Sequence, residues 1–162
     1  MELSVFLVYL AACCAAAATG SLFPPDKWYF EELKKPGWTP PGWLFPLAWS
    51  ALYIASAVAA ARVAGLEGAA LATAFWALQI ALNTLWSPIF FGLKRLGAAM
   101  AALSCLWIAV AATCVTFFMI DPISGAPMVP YVSWVSYAGA LNLRIWRKNM
   151  PATDAAQRRP NA

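Results

Sequence analysis

The sequence contains no histidine. That absence excludes His-ligated metal and haem centres, Ser-His-Asp triads and Cys-His dyads. Charge is also scarce: 11% of the 162 residues are charged, against about 25% in an average soluble domain. Apolar residues make up 62%, where about 45–50% is usual, and the mean hydropathy is +0.65. A soluble domain of this length could not bury that much apolar surface, so a soluble single domain is excluded. The four cysteines, Cys13, Cys14, Cys105 and Cys114, all lie inside apolar stretches without metal or redox spacing. They read as small packing residues, because a hydrocarbon environment disfavours thiolates. No catalytic residue, metal site or resident cofactor is indicated.

What is present is a set of long apolar runs. A spanning helix needs roughly 17–25 mostly apolar residues, and five runs qualify: 3–23, 43–61, 69–91, 97–120 and 128–146. All seven acidic residues fall outside them, and of the basic residues only Arg144 falls within one, near enough to its end to snorkel. The expected fold is therefore an all-α membrane protein, a five-transmembrane-helix bundle over residues 1–148, followed by a polar tail over 149–162 with Pro151 stopping the last helix. The first run is preceded by the acidic Glu2 and by no basic segment, and its apolar stretch exceeds a leader's core, so it reads as the first span.

The charge distribution sets an orientation. One face carries Arg62 as its single basic residue. The other carries Lys27, Lys34, Lys35, Lys94, Arg95, Arg144, Arg147, Lys148, Arg158 and Arg159. A bias of ten to one places the first loop and the C-terminus in the cytoplasm under the positive-inside rule. The same topology accounts for the net charge of +4, so no nucleic-acid partner is called for.

The first loop, residues 24–42, combines Pro24, Pro25, Pro36, Pro40 and Pro41 with Trp28, Tyr29, Phe30 and Trp38. Two readings fit: an interfacial aromatic belt, or a proline-stiffened lid over the bundle mouth. Within the third run Gln79, Asn83, Trp86 and Phe90 are spaced 4, 3 and 4, which makes one helical stripe. Amides at bilayer depth are costly unless partnered, so this stripe should face inward, with Pro88 kinking or ending the helix. Trp49 and Tyr53 share a face in the second run; Trp134, Tyr137, Ala138, Leu141 and Asn142 share one in the fifth; Trp107 and Cys114 are seven apart in the fourth. Interhelical glue is one role for the amides. Inward rings beside small residues such as Ala48, Ala138 and Gly139 also leave slots for a flat, mostly apolar ligand. A seam of Ala70, Ala74, Ala77 and Ala81 on the third run would permit close approach of a second helix.

Four segments in order resemble the translocator protein and tryptophan-rich sensory protein family. They are Lys35-Pro36-Gly37-Trp38-Thr39-Pro40-Pro41, Phe45-Pro46-Leu47-Ala48-Trp49-Ser50-Ala51-Leu52-Tyr53, the stretch from Gln79 through Asn83-Thr84-Leu85-Trp86-Ser87-Pro88 to Gly92, and Pro130-Tyr131-Val132-Ser133-Trp134 with Tyr137-Ala138 and Leu141-Asn142. The resemblance covers residues 5–148 and implies a five-helix membrane bundle, commonly a homodimer, that binds porphyrins, sterols and benzodiazepine-site drugs. It implies a pocket beneath the first loop lined by Trp38, Trp49, Asn83, Trp86, Trp107, Trp134 and Ala138. The chain departs from the loose sterol pattern of the fifth helix: six residues separate Tyr137 from Arg144, where the pattern allows about one to five.

Two functional classes follow from the resemblance. One is an integral membrane receptor or transporter for tetrapyrroles and similar flat lipophiles, acting in transport or stress sensing. The other is a porphyrin-degrading enzyme working by light or radical chemistry on pocket tryptophans. The bundle offers no carboxylate or imidazole for general acid–base catalysis. The expected partners are a porphyrin or sterol-like small molecule, membrane lipid and a second copy of the chain.

Overall fold

The structure is a computed structural model and describes residues 2–150. The tail from Pro151 onward, and the stop expected there, lie outside the described residues. Six helices follow in order: α1 Leu3–Leu22, α2 Leu44–Val63, α3 Ala69–Ser87, α4 Leu96–Ile120, the short α5 Pro122–Gly125, and α6 Met128–Asn149. Two π-helical turns, Trp28–Glu32 and Pro88–Gly92, interrupt the connections.

The boundaries follow from local chemistry. α1 stops ahead of Pro24 and Pro25, which cannot continue it. α2 carries Pro46 and α6 carries Pro130, each in the first turn, where a missing N–H leaves no helical bond unmade. α3 enters through Gly68, at φ 78° in the left-handed region that favours glycine. At its other end Pro88 terminates the α-helical ladder, and the chain widens into the π-helical turn in which the Leu93 N–H donates to the Pro88 carbonyl at 2.8 Å.

The apolar runs become helices within a few residues of their expected bounds. α1, α2, α4 and α3 extended to Gly92 are long and apolar enough to cross a membrane. α6 has 22 residues but is more polar and does not meet the same measure. By length and composition the expected count of five spanning helices is thus met by four among the described residues.

The helices close into a ring: α1 packs along α2 and α3, α3 along α4, α4 along α6, and α6 against α2. Inside it Trp76 of α3 donates its indole N–H to the Ser56 hydroxyl of α2 at 2.7 Å, both buried. Its ring meets Tyr9 of α1 edge-on at 4.7 Å.

Charged contacts tie the two ends. At one, Arg62 closes α2 onto the α4–α5 corner, its Nη2 lying 3.1 Å from Asp121 Oδ2 and its Nε donating to Ser124 Oγ at 3.2 Å. Asp121 also caps α5, accepting from the Ile123 N–H at 3.2 Å. At the other end, Lys94 pairs with Asp26 at 2.8 Å, and the Asn149 side chain exchanges hydrogen bonds with the Lys34 N–H (3.1 Å) and carbonyl (3.0 Å). The first loop is thereby fastened to the α3–α4 turn and to the end of α6.

The Ser124 hydroxyl, and then Arg62, hold the Asp121 carboxyl below its ordinary value. A lowered folded-state value adds stability that is present above the unfolded value of about 3.9 and is lost as pH falls through the folded one. Asp121→Asn is therefore expected to lower the melting temperature in detergent at pH 7. The gap to wild type should close below pH of about 4, and a gap unchanged between pH 7 and pH 3 would contradict this reading.

Candidate functional site

The amide–aromatic stripe of α3 faces inward as its spacing requires: Gln79, Asn83 and Phe90 are buried and Trp86 is half-buried. Asn83 donates through Nδ2 to the Tyr131 hydroxyl of α6 at 2.9 Å. Tyr131 is fully buried and meets the Trp49 ring of α2 edge-on, with centroids 5.9 Å apart at 85°. Trp49 lies in turn 5.4 Å from Tyr53 at 34°. Three helices thus share one polar–aromatic junction, built from α2, α3 and α6.

A second series of rings leads from this interior to the first loop. Trp134 of α6 lies 5.9 Å from Phe45 of α2 and 5.9 Å from Tyr137, one turn along its own helix. Tyr137 meets Trp38 of the first loop edge-on at 5.5 Å and donates its hydroxyl to the Trp38 carbonyl at 2.9 Å. The loop backbone is thus pinned over the α6 rings while the Trp38 side chain stays 47% exposed. Ala138, beside Trp134 and Tyr137, is half-buried against the core.

A third group closes the end of α3. Trp86 stacks on Phe90 at 4.8 Å and 25°. Phe90 is met edge-on by Trp28 at 6.2 Å and by Tyr29 at 6.5 Å from the loop's π-helical turn. Lys35 sits 4.2 Å over the Tyr29 ring, and Lys94 sits 5.2 Å over Trp28. Burial raises the Tyr29 hydroxyl above its ordinary value, which keeps it neutral. Lys94 holds the Asp26 carboxyl low, chiefly by hydrogen bonding, so this fastening stays charged at neutral pH.

Trp107 requires a correction. It is expected inward as a fourth wall, but it is 43% exposed on the outer surface of α4. There its indole N–H donates to the Ser136 hydroxyl of α6 at 2.8 Å. The physical reason is that α4 is apolar on every side, so a seven-residue spacing to Cys114 selects no face. Of the seven expected site residues, Trp38, Trp49, Asn83, Trp86, Trp134 and Ala138 border the inner junction or the loop above it. Trp107 stands apart.

Two contributors were not singled out by spacing, Tyr131 and Phe45. Tyr131 lies three residues before Trp134, one turn back on the same face, which is the signal that could have found it. Phe45 lies four residues before Trp49 and eight before Tyr53, so extending that stripe one turn back is the signal that could have found it.

Several inward polar atoms have no hydrogen-bond partner among the described residues: both amide atoms of Gln79, both of Asn142, and the Trp86 indole N–H. Gln79 is 0% and Asn142 2% exposed. A buried donor or acceptor left unmade costs about 1–3 kcal/mol, so these positions favour occupation by water or by a ligand's polar groups. The junction offers ring faces, neutral donors and acceptors, and a covering loop, with no carboxylate at it among the described residues.

Comparison with known proteins agrees with this architecture. The TspO/MBR family profile matches residues 6–147. The chain is 57% identical over 153 residues to Protein CrtK of Rhodobacter capsulatus, covering 92% of this chain and 95% of that protein. It is 48% identical over 155 residues to the tryptophan-rich sensory protein of Cereibacter sphaeroides, covering 96% and 98%. It is 34% identical over 128 residues to the human translocator protein, covering 76% and 75%. With matching motifs, apolar helices and near full-length coverage, the chain belongs to the TspO/MBR family of integral membrane sensory and translocator proteins.

Proposed function

We propose that the protein is a membrane receptor or transporter for porphyrins and similar flat lipophilic ligands, sterols among them. The observation that carries this reading is the continuous series of rings from Trp38 through Tyr137, Trp134 and Phe45, adjoining the Trp49–Tyr131–Asn83 junction. Most of these rings meet edge-on. A flat ligand entering between them exchanges edge contacts for face stacking and keeps the apolar area out of water. Asn83 and the unpaired Trp86 N–H are the polar contacts for a ligand carbonyl or carboxyl. The first loop, pinned to α6 through Trp38, acts as the lid. α6, which supplies Tyr131, Trp134, Tyr137 and Ala138, is the fifth span, with Asn142 turned inward and the outward Ser133 and Ser136 hydroxyls bonded back to carbonyls of their own helix.

Trp134→Ala and Trp38→Ala should each weaken porphyrin binding about 2- to 10-fold, the loss of one ring contact. Trp146→Ala and Trp107→Ala, outside the junction, should leave it nearly unchanged. Titration of purified protein with a porphyrin, followed by tryptophan quenching, reads both sets. Equal losses in both sets would signify general destabilisation, and no loss at Trp134 would place the ligand elsewhere.

The orientation puts the basic face, with the lid, in the cytoplasm. A reporter fused after Ala162 should be cytoplasmic, and a C-terminal alkaline phosphatase fusion active in the periplasm would reverse the topology.

The assembly is a homodimer through α3. Ala70, Ala74, Ala77 and Ala81 are all exposed on its outer face, where small residues let a partner helix approach closely. Ala77→Leu combined with Ala81→Leu should shift the detergent-solubilised protein toward monomer. An unchanged cross-linking pattern would reject this interface.

A further inference from the structure

The outer surface carries a recess that the inner junction does not use. It lies between α4 and α6, has a volume of about 490 Å³, and is lined by Met100, Leu103, Ser104 and Trp107 on one side and by Ser136 and Gly139 on the other, among others. That volume is within the range of small-molecule pockets, about 300–1,000 Å³, but this one opens sideways, toward the hydrocarbon. Its floor is formed where small residues thin the wall. A side-chain carbon placed on Gly139 would meet nothing within 4 Å. The polar atoms of the floor are already paired, Trp107 to Ser136 and Ser136 back to the Val132 carbonyl at 2.8 Å, so the recess presents an apolar lining to whatever fills it.

Its position along the bundle is informative. The α4 lining runs from Met100 to Ile108, about 12 Å at 1.5 Å per residue. That is within the half-thickness of a hydrocarbon core of about 30 Å. It occupies the first half of α4 and the middle of α6, and extends toward the basic end of the molecule. At that end Trp146 of α6 lies against α4, its Cζ2 3.1 Å from the point a Gly97 side chain would occupy.

On α6 the lining positions Ala140 and Leu143 continue, one turn further on, to Arg144 and Arg147. Both arginines are exposed, and neither joins an ion pair among the described residues. An apolar slot one leaflet deep with two free guanidinium groups at its headgroup end matches one class of molecule. We propose that this recess is a phospholipid site, holding an acyl chain of an anionic phospholipid whose phosphate is taken by Arg144 and Arg147. Arginine suits this role because its fork pairs with phosphate oxygens in two-point fashion. The proposal is independent of the porphyrin reading: the recess opens on the outer surface, on the flank of α6 about a quarter turn from the Tyr131 and Asn142 face, and needs no opening of the bundle.

The test uses the full chain in phosphatidylcholine nanodiscs containing a small fraction of phosphatidylglycerol brominated on its acyl chain, compared with the same fraction of brominated phosphatidylcholine. Bromine quenches tryptophan only at contact. The expected result is several-fold greater quenching by the phosphatidylglycerol, an excess that disappears in Trp107→Phe and falls to the phosphatidylcholine level in Arg144→Gln with Arg147→Gln. Gly139→Leu, which fills the floor, should also remove it. Should that variant fail to fold, the conservative Trp107→Phe and the exposed arginine pair still decide the matter. Equal quenching by the two lipids would show ordinary annular contact and overturn the proposal. So would an excess that survives Trp107→Phe. Displacement of the brominated lipid by a sterol but not by unlabelled phosphatidylglycerol would assign the recess to a different lipid and equally overturn it.

Discussion

The structure depends on one constraint: a polar group inside a membrane bundle is costly to leave unpaired, and the surrounding lipid supplies no partner for it. The Asn83–Tyr131 hydrogen bond meets that constraint at the centre of the ring, as Trp76–Ser56 does between α3 and α2. Such bonds are worth only about 0.6–2 kcal/mol each. Their consequence is specificity, because each is satisfied in one register of its helix pair. Fixing α3 against α6 at Asn83 brings Tyr131 beneath Trp49, and so sets where the α6 rings stand relative to α2. The same constraint singles out Gln79, Asn142 and the Trp86 N–H as the places where the interior is polar and unfinished.

The helices and the inward stripe were legible in the sequence because both rest on strong signals. Charges interrupt the apolar runs sharply, and prolines or a glycine mark the ends of α1, α2 and α3. On α3 the amides stand out from an apolar background, so their spacing names a face, and the structure buries Gln79, Asn83 and Phe90 as that spacing requires. α4 defeats the same method. Nearly every position on it is apolar, periodicity vanishes, and Trp107 falls outward where an inward ring was expected. The reciprocal Lys34–Asn149 contact was not legible either, since it joins segments 115 positions apart through geometry that no local pattern encodes.

The first loop shows how the two sequence readings of its composition combine. Trp28 and Tyr29 pack against Phe90 at the end of α3, while Trp38 lies over Tyr137 with its ring half in the open. One part of the loop is therefore anchored and the other covers the α6 rings. Prolines lower the entropy lost in holding that cover in place. The contacts on its charged side, Asp26–Lys94 and Lys35 over Tyr29, lie at the surface, where individual ion pairs contribute little.

The central claim is that a flat ligand binds inside the ring of helices, among Trp49, Trp86 and Trp134 and beneath Trp38. The most direct measurement is an experimental structure of the protein saturated with a porphyrin. The account predicts macrocycle density between α2, α3 and α6, with a ligand polar atom within hydrogen-bond distance of Asn83 or the Trp86 N–H. Macrocycle density confined to the outer face beside Trp107, with the inner rings still in mutual contact, would contradict it.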